Sequence, residues 1–263
     1  MQQIFSRYAT VWQPLRSALM AAPLLMLILA SCAKQTTAPG NASLTLINAV
    51  VGNSSMVTNF KGGNPFEYYH ANRIYYKAYS DYNNRYTQFS GTQQLALYQY
   101  PDTTEKSVPL FNLVLDLPIG SIHTLFLTGT VASPDTLFIK DDLPYHVTAD
   151  SSMGIRFVNL SPGSKDVSIN IKGQTGAPEV ARLPYKGSTV FKKYSAGFEV
   201  PDYEFEFRDA ASGVLLGSFI TAGIYHQTTV WAHPWMYKNF TLALVGLPGG
   251  TGINAPAVML IRY

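Results

Sequence analysis

The residues with the clearest chemistry lie early in the chain. Leu29-Ala30-Ser31-Cys32 ends an apolar run and contains the only cysteine of 263 residues. A thiol directly after such a pattern suits diacylglycerol transfer, because the thioether is made on sulfur. Cleavage before the modified residue then leaves lipidated Cys32 as the N-terminus. Each buried acyl methylene adds about 0.8 kcal/mol of membrane affinity, so two or three chains hold durably. Arg7 and Arg16 are the only charges before Cys32, and Ala18 to Ala30 is almost wholly apolar. That run fits a signal-peptide core and falls short of the ~20 residues a bilayer span needs. The expectation is a lipoprotein signal peptide over 1–31, then lipidated Cys32 and a flexible tether to residue 42. No second cysteine is present to form a disulfide.

Recognition chemistry is densest between Glu67 and Tyr86, where Tyr68, Tyr69, Tyr75, Tyr76, Tyr79, Tyr82 and Tyr86 are interleaved with Asn, Asp and Arg. A tyrosine offers a flat apolar ring with a polar tip, which suits stacking on a sugar or packing on a peptide. Tyr68, Tyr69, Tyr79 and Tyr82 are the ligand-contact candidates, weighed against a connecting segment packed on a sheet edge. Trp231-Ala-His233-Pro234-Trp235 is a second aromatic cluster. There Trp231 ends an alternating strand and reads as core, while Trp235 reads as the ligand candidate. His123 and His226 recur at corresponding places, which argues for a role in the fold rather than a shared metal. Asp141-Asp142 reads as turn chemistry. No zinc-like Cys/His spacing, Gly-x-Ser-x-Gly, His-Glu-x-x-His or P-loop occurs in the sequence. The expectation is therefore no catalytic residue, no metal and no cofactor.

The elements that position these residues are strands. Tyr203-Glu-Phe-Glu-Phe-Arg208 and Asp166-Val-Ser-Ile-Asn-Ile-Lys172 alternate apolar and polar side chains, the pattern of a sheet with one buried and one wet face. Further strands are expected at Leu44–Asn48, Leu95–Tyr100, Phe111–Leu115, Thr124–Thr128, Ile155–Asn159, Val214–Ile220, 228–232, Thr241–Val245 and Val258–Arg262. Gly, Pro and Asp punctuate them, and no stretch carries a capped helical stripe. Aromatics and charged residues each make up 13% of the chain, a balance that favours strands. Losing Arg7 and Arg16 takes Lys plus Arg from 19 to 17 against 16 acidic residues, and no basic tract suggests nucleic acid.

The two halves also repeat. Leu44-Thr-Leu-Ile-Asn48 aligns with Ile155-Arg-Phe-Val-Asn159, Lys61-Gly62 with Lys172-Gly173, and Arg73-Ile-Tyr-Tyr-Lys77 with Arg182-Leu-Pro-Tyr-Lys186. A period above one hundred residues is a whole domain rather than a solenoid unit. The expected fold class is all-β: two tandem immunoglobulin-like β-sandwich domains, 43–149 and 150–263, of about seven strands each.

The run Ile155-Arg-Phe-Val-Asn-Leu-Ser-Pro-Gly-Ser-Lys-Asp-Val-Ser-Ile-Asn-Ile-Lys-Gly173 resembles the opening signature of domain-of-unknown-function family 4397. Leu183-Pro-Tyr-Lys-Gly187, Ser195-Ala-Gly197 and Tyr203–Phe207 follow in that family's order, and the likeness covers most of 153–245. The first half resembles a degenerate copy, keeping Asn48 but placing Ala49-Val50-Val51-Gly52 where the family has a Ser-Pro turn. The resemblance implies a β-sandwich in a secreted or lipid-anchored bacterial protein, as in many Bacteroidetes, and supplies no catalytic residues.

Together these features point to a non-catalytic binding or structural module, lipid-anchored to the outer membrane. Its expected partners are the membrane, through the N-terminal lipid, and a glycan or envelope protein. A hydrolase with a cryptic site and a scaffold subunit of an outer-membrane complex are the alternatives. Lys34-Gln35-Thr36-Thr37 carries no acid after the cysteine, which favours the periplasmic face.

Overall fold

A computed structural model describes residues 40–61, 72–104, 106–225 and 233–263. Cys32, Tyr68, Tyr69, His226, Trp231 and the expected strand at 228–232 lie outside these residues. The first half holds β1 (Asn41–Asn48), β2 (Ser55–Asn59), β3 (Arg73–Tyr75), β4 (Arg85–Phe89), β5 (Gly91–Gln99), β6 (Phe111–Leu117), β7 (Ile122–Gly129) and β8 (Pro134–Lys140). The second holds β9 (Ser152–Asn159), β10 (Val167–Ile171), β11 (Val180–Leu183), β12 (Lys192–Ser195), β13 (Glu204–Asp209), β14 (Leu215–Ile220), β15 (Asn239–Val245) and β16 (Ala257–Arg262). Among the described residues, helix is confined to short turns, at Asp81–Asn84 and Gly252–Asn254.

The strands form four four-stranded sheets. In the first half their orders are β4-β1-β7-β8 and β3-β2-β5-β6. In the second they are β12-β9-β15-β16 and β11-β10-β13-β14, which matches the first half strand for strand. The parallel strand pairing in each half also corresponds: β1 with β7, and β9 with β15. The fold is thus an all-β assembly of sandwiches, with eight strands in each half among the described residues.

Three apolar clusters hold the layers together. Leu44, Leu46, Met56, Ile74, Leu95, Leu97, Leu125 and Leu127 fill the first sandwich. Ile155, Phe157, Val167, Ile169, Phe205, Phe207, Leu242 and Leu244 fill the second. A third cluster, built on Ile47, Ala49, Phe126, Val158, Ala243, Val245, Met259 and Ile261, joins the outer face of the β1–β7 sheet to that of the β9–β15 sheet. The two central sheets are therefore covered on both faces, and β9 and β15 are buried along their whole length. Burial alternates at the start of β10, whereas in β13 Glu206 is buried along with Phe205 and Phe207. Gly40–Tyr263 forms one compact unit.

Corresponding residues do corresponding work. The side-chain oxygens of Asn48 and Asn159 each accept from the backbone N–H two residues on, at 3.1 Å. Their amide nitrogens donate across the sandwich to the carbonyls of Ile74 and Leu183. Lys77 and Lys186 both sit at positive φ, +55° and +61°, and each backbone N–H donates to the carbonyl of the matching asparagine. The lysine side chains then reach across between halves. Lys77 donates to the carbonyls of Ile253 and Ala255, and Lys186 pairs with Asp135 at 2.7 Å.

Parallel strands of both halves start at one end of the molecule. Thr128, late in β7, donates to the carbonyl of Leu160 just past β9. Thr124, early in β7, lies 3.0 Å from the hydroxyl of Tyr263, whose N–H bonds Asn239 at the start of β15.

Candidate binding surfaces

The tyrosine-rich segment divides by use. The turn Asp81–Asn84 is capped by the Ser80 hydroxyl, which accepts from the Asn83 N–H, and is pinned to β1 by Asn84 donating to the Leu46 carbonyl. That anchoring projects Tyr82 outward, 91% exposed. Tyr79 is half-buried against the inter-sandwich cluster, its hydroxyl 2.7 Å from Asp81 Oδ1 and 2.8 Å from the Arg262 carbonyl. Burial, then the Asp81 contact, pushes its ionisation well above the ordinary tyrosine range. Tyr79 thus works in the fold, while Tyr82 has a ring free for contact.

Trp235 is a core residue, 5% exposed. Its indole N–H donates to the Ala222 carbonyl, and its ring packs 4.5 Å from Phe240 and 6.0 Å from Phe219. Neither face is open to a ligand. His123 stacks on Phe138 with centroids 4.8 Å apart, and burial lowers its pKa against the pull of Asp141. No group of three metal-ligating side chains occurs among the described residues.

The segment between the halves brings a serine, a histidine and a carboxylate together. His146 Nδ1 lies 2.8 Å from Ser152 Oγ, and the Ser152 hydroxyl donates to Asp150. His146 Nε2 lies 2.9 Å from Asn239 Oδ1, while the Asn239 amide nitrogen donates to the Pro144 carbonyl. A catalytic triad needs the acid on the histidine nitrogen remote from the serine. Here that nitrogen meets an amide oxygen, the acid holds the serine instead, and Ser152 and His146 are buried. The array clasps the connection onto the starts of β9 and β15.

A crevice of about 340 Å³ opens where the sandwiches meet. Leu137, Ile139, Lys140 and Asp142 line one side; Arg156 and Ser188 to Phe191 line the other. The half-buried Phe191 packs edge-on against Tyr263 at 5.8 Å, and the Arg156 guanidinium lies 4.8 Å from the Phe191 ring centre. Behind it, Arg156 Nη1 lies 2.7 Å from Asp141 Oδ1, with side chains only 3% and 0% exposed. The contact is close but poorly aligned for a hydrogen bond, so the pairing is mainly Coulombic. Arg156 Nε donates to Thr241 at 3.0 Å, Nη2 donates to the Tyr263 hydroxyl, and Thr124 donates to Asp141 Oδ2 at 2.7 Å. Burial pushes the Asp141 carboxyl above its usual range, against the pull of Arg156 and Thr124. Asp141 is therefore a buried counter-charge and not a turn residue. Sequence reasoning passed over this site; its one signal was Arg156, a charge inside the apolar strand Ile155–Asn159. A second depression, of about 380 Å³, is lined by Lys165, Asp166, Ala181, Arg182, Ala210 and Ala211, with no aromatic ring. The crevice thus offers what a polar, ring-bearing ligand uses: a ring edge, hydroxyls and charge of both signs at a domain junction.

No curated protein matches the chain. Among solved structures, it is similar to a Bacteroides thetaiotaomicron protein assigned to polysaccharide binding (DUF1812). That match has 11% identity over 85% of this chain and 98% of the other, with a TM-score of 0.24. An assigned adhesin from Bacteroides ovatus is similar at 11% identity over 88% and 97%, with a TM-score of 0.23. Overlap at that level does not establish a common fold. The model of the domain of unknown function DUF4397 matches residues 39–170. That span is half the chain; it takes in the whole first sandwich and the Asn159–Gly163 turn, and falls mainly on the first half rather than on 153–245. On that match, the chain belongs to the DUF4397 family.

Proposed function

We propose that this protein is a lipid-anchored component of the bacterial cell envelope and acts as a non-catalytic binding module. Its halves are read as two copies of one sandwich, and its ligand is a glycan or an extended envelope polymer. The observation that carries the binding reading is the crevice, where Phe191, Ser188, Thr189, Lys140 and Asp142 converge between sandwiches in front of the buried Arg156–Asp141 pair. Exposed Tyr82 supplies a separate stacking ring. The anchoring reading rests on Leu29-Ala30-Ser31-Cys32 and the apolar run before it. The outer membrane, on its periplasmic face, is the proposed location.

Glycan and peptide arrays with the purified protein test the binding reading. Phe191→Ala is expected to weaken a captured saccharide or peptide about tenfold, the loss of roughly 1.4 kcal/mol of ring contact. An array with no binder, or binders indifferent to both Phe191→Ala and Tyr82→Ala, rules it out. Metabolic labelling with a fatty acid tests the anchor: label should incorporate in the parent and vanish in Cys32→Ser.

A further inference from the structure

We infer that the end of the molecule bearing Gly40 is a lipid-contact surface, so that the sandwiches stand end-on to the bilayer with Phe89 and Ile119 in its interface. The inference rests on the proposed lipidation of Cys32 and adds an orientation to it. Gly40 leads directly into β1, and its carbonyl accepts from the Ser90 N–H at 2.8 Å. Asn41 pairs with Phe89 in the β1–β4 register, and its carbonyl accepts from the Gly120 N–H at 2.8 Å. A Cβ built on Gly40 would meet Ile119 Cγ2 at 2.8 Å. The chain entry, the β4–β5 turn and the β6–β7 turn therefore meet at one tip.

The turns at that tip are uncharged and carry apolar side chains, while Asp116, Lys140 and Asp142 lie at the strand ends behind them. Phe89 is 60% exposed and Ile119 is 75% exposed. No Asp, Glu, Lys or Arg occurs from Gly40 to Phe60, from Tyr86 to Pro101, or from Leu117 to Pro134. The segment joining the halves adds exposed Tyr145 and Val147 at the same end. They flank His146, which is held by the first residues of β9 and β15. Apolar and aromatic tips among uncharged hydroxyl and amide groups suit the headgroup boundary, where an exposed charge would have to be desolvated.

The chain path brings the Gly40 end to the lipid first. Seven residues separate Cys32 from Gly40, a span of at most about 28 Å over the eight steps. The opposite end, with Ile253 69% exposed, lies a further strand length away. An anchor that short keeps the Gly40 end near the bilayer, and two apolar side chains at its exit give that proximity a contact.

The test places an environment-sensitive fluorophore on Phe89→Cys, Ile119→Cys or Ile253→Cys of the full protein, reconstituted in vesicles of phosphatidylethanolamine and phosphatidylglycerol. Flotation reads the anchor and emission reads the surface. The expected result is co-flotation, blue-shifted emission at 89 and 119 that a headgroup spin label quenches, and aqueous emission at 253. Protein that floats with 89 and 119 aqueous, or with 253 shifted equally, overturns the orientation and leaves the anchor standing. If the protein stays unbound and its parent form labels at Cys32, the anchor reading fails. Vesicles added to that unbound protein carrying Cys32→Ser still read the tip, and unshifted emission at 89 and 119 then overturns this inference as well.

Discussion

Arg156 and Asp141 come from different halves and meet where water is excluded. Removing charges from water costs several kcal/mol per ion, and a buried pair offsets that cost only while both members remain. Asp141→Ala leaves the guanidinium facing Thr241, Tyr263 and the Phe191 ring with no counter-charge. It is expected to destabilise the protein by about 3 to 5 kcal/mol in urea unfolding. The double variant Asp141→Leu/Arg156→Met should recover most of that loss. A single-variant loss below about 1 kcal/mol would mean that the pair is effectively solvated. Arg156 was legible in the sequence only as a charge inside the expected strand Ile155–Asn159. Period-two alternation separates two faces but does not say whether the outer one meets water or another sheet.

Gly154 shows the same limit at the scale of the strand. It lies in β9 opposite Asn239, and a Cβ there would stand 2.2 Å from Asn239 Oδ1. That oxygen is the partner of His146, so Gly154→Ala should displace Asn239 and loosen the clasp. The expected cost is about 1 to 3 kcal/mol, read as a lower urea midpoint together with changed His146 ring signals in NMR. β10 and β13 were legible because apolar and polar residue types alternate along them, although Glu206 of β13 is itself buried. β2 (Ser-Met-Val-Thr-Asn) escaped because all five of its residues are buried and show no period. β11 and β12 escaped because four residues rich in Lys and Arg carry too little pattern. Trp235 looked like a loop aromatic beside His233-Pro234. Its burial is decided by Ala222, Phe219 and Phe240, contacts that no local window contains.

At the scale of the whole molecule, the third cluster makes the sandwiches interdependent, and Tyr79 and Tyr263 pack against it. Burial raises the ionisation of Tyr76 to about 12, and also raises Tyr79, Tyr194 and Tyr263. In the unfolded chain these hydroxyls ionise near pH 10. Between pH 10 and about 12 the unfolded state therefore sheds protons that the folded state keeps, so stability falls as pH rises. The contribution is fully present below pH 10, and each buried hydroxyl withdraws at most about 1.4 kcal/mol per pH unit above it. Because Tyr79 and Tyr263 pack against the shared cluster, the loss should reach both sandwiches together. The expected outcome is one cooperative alkaline transition, with tyrosinate absorbance and strand circular dichroism changing at the same pH. Two separated transitions, or tyrosinate appearing near pH 10 with the strands intact, would show that the halves are not coupled through these rings.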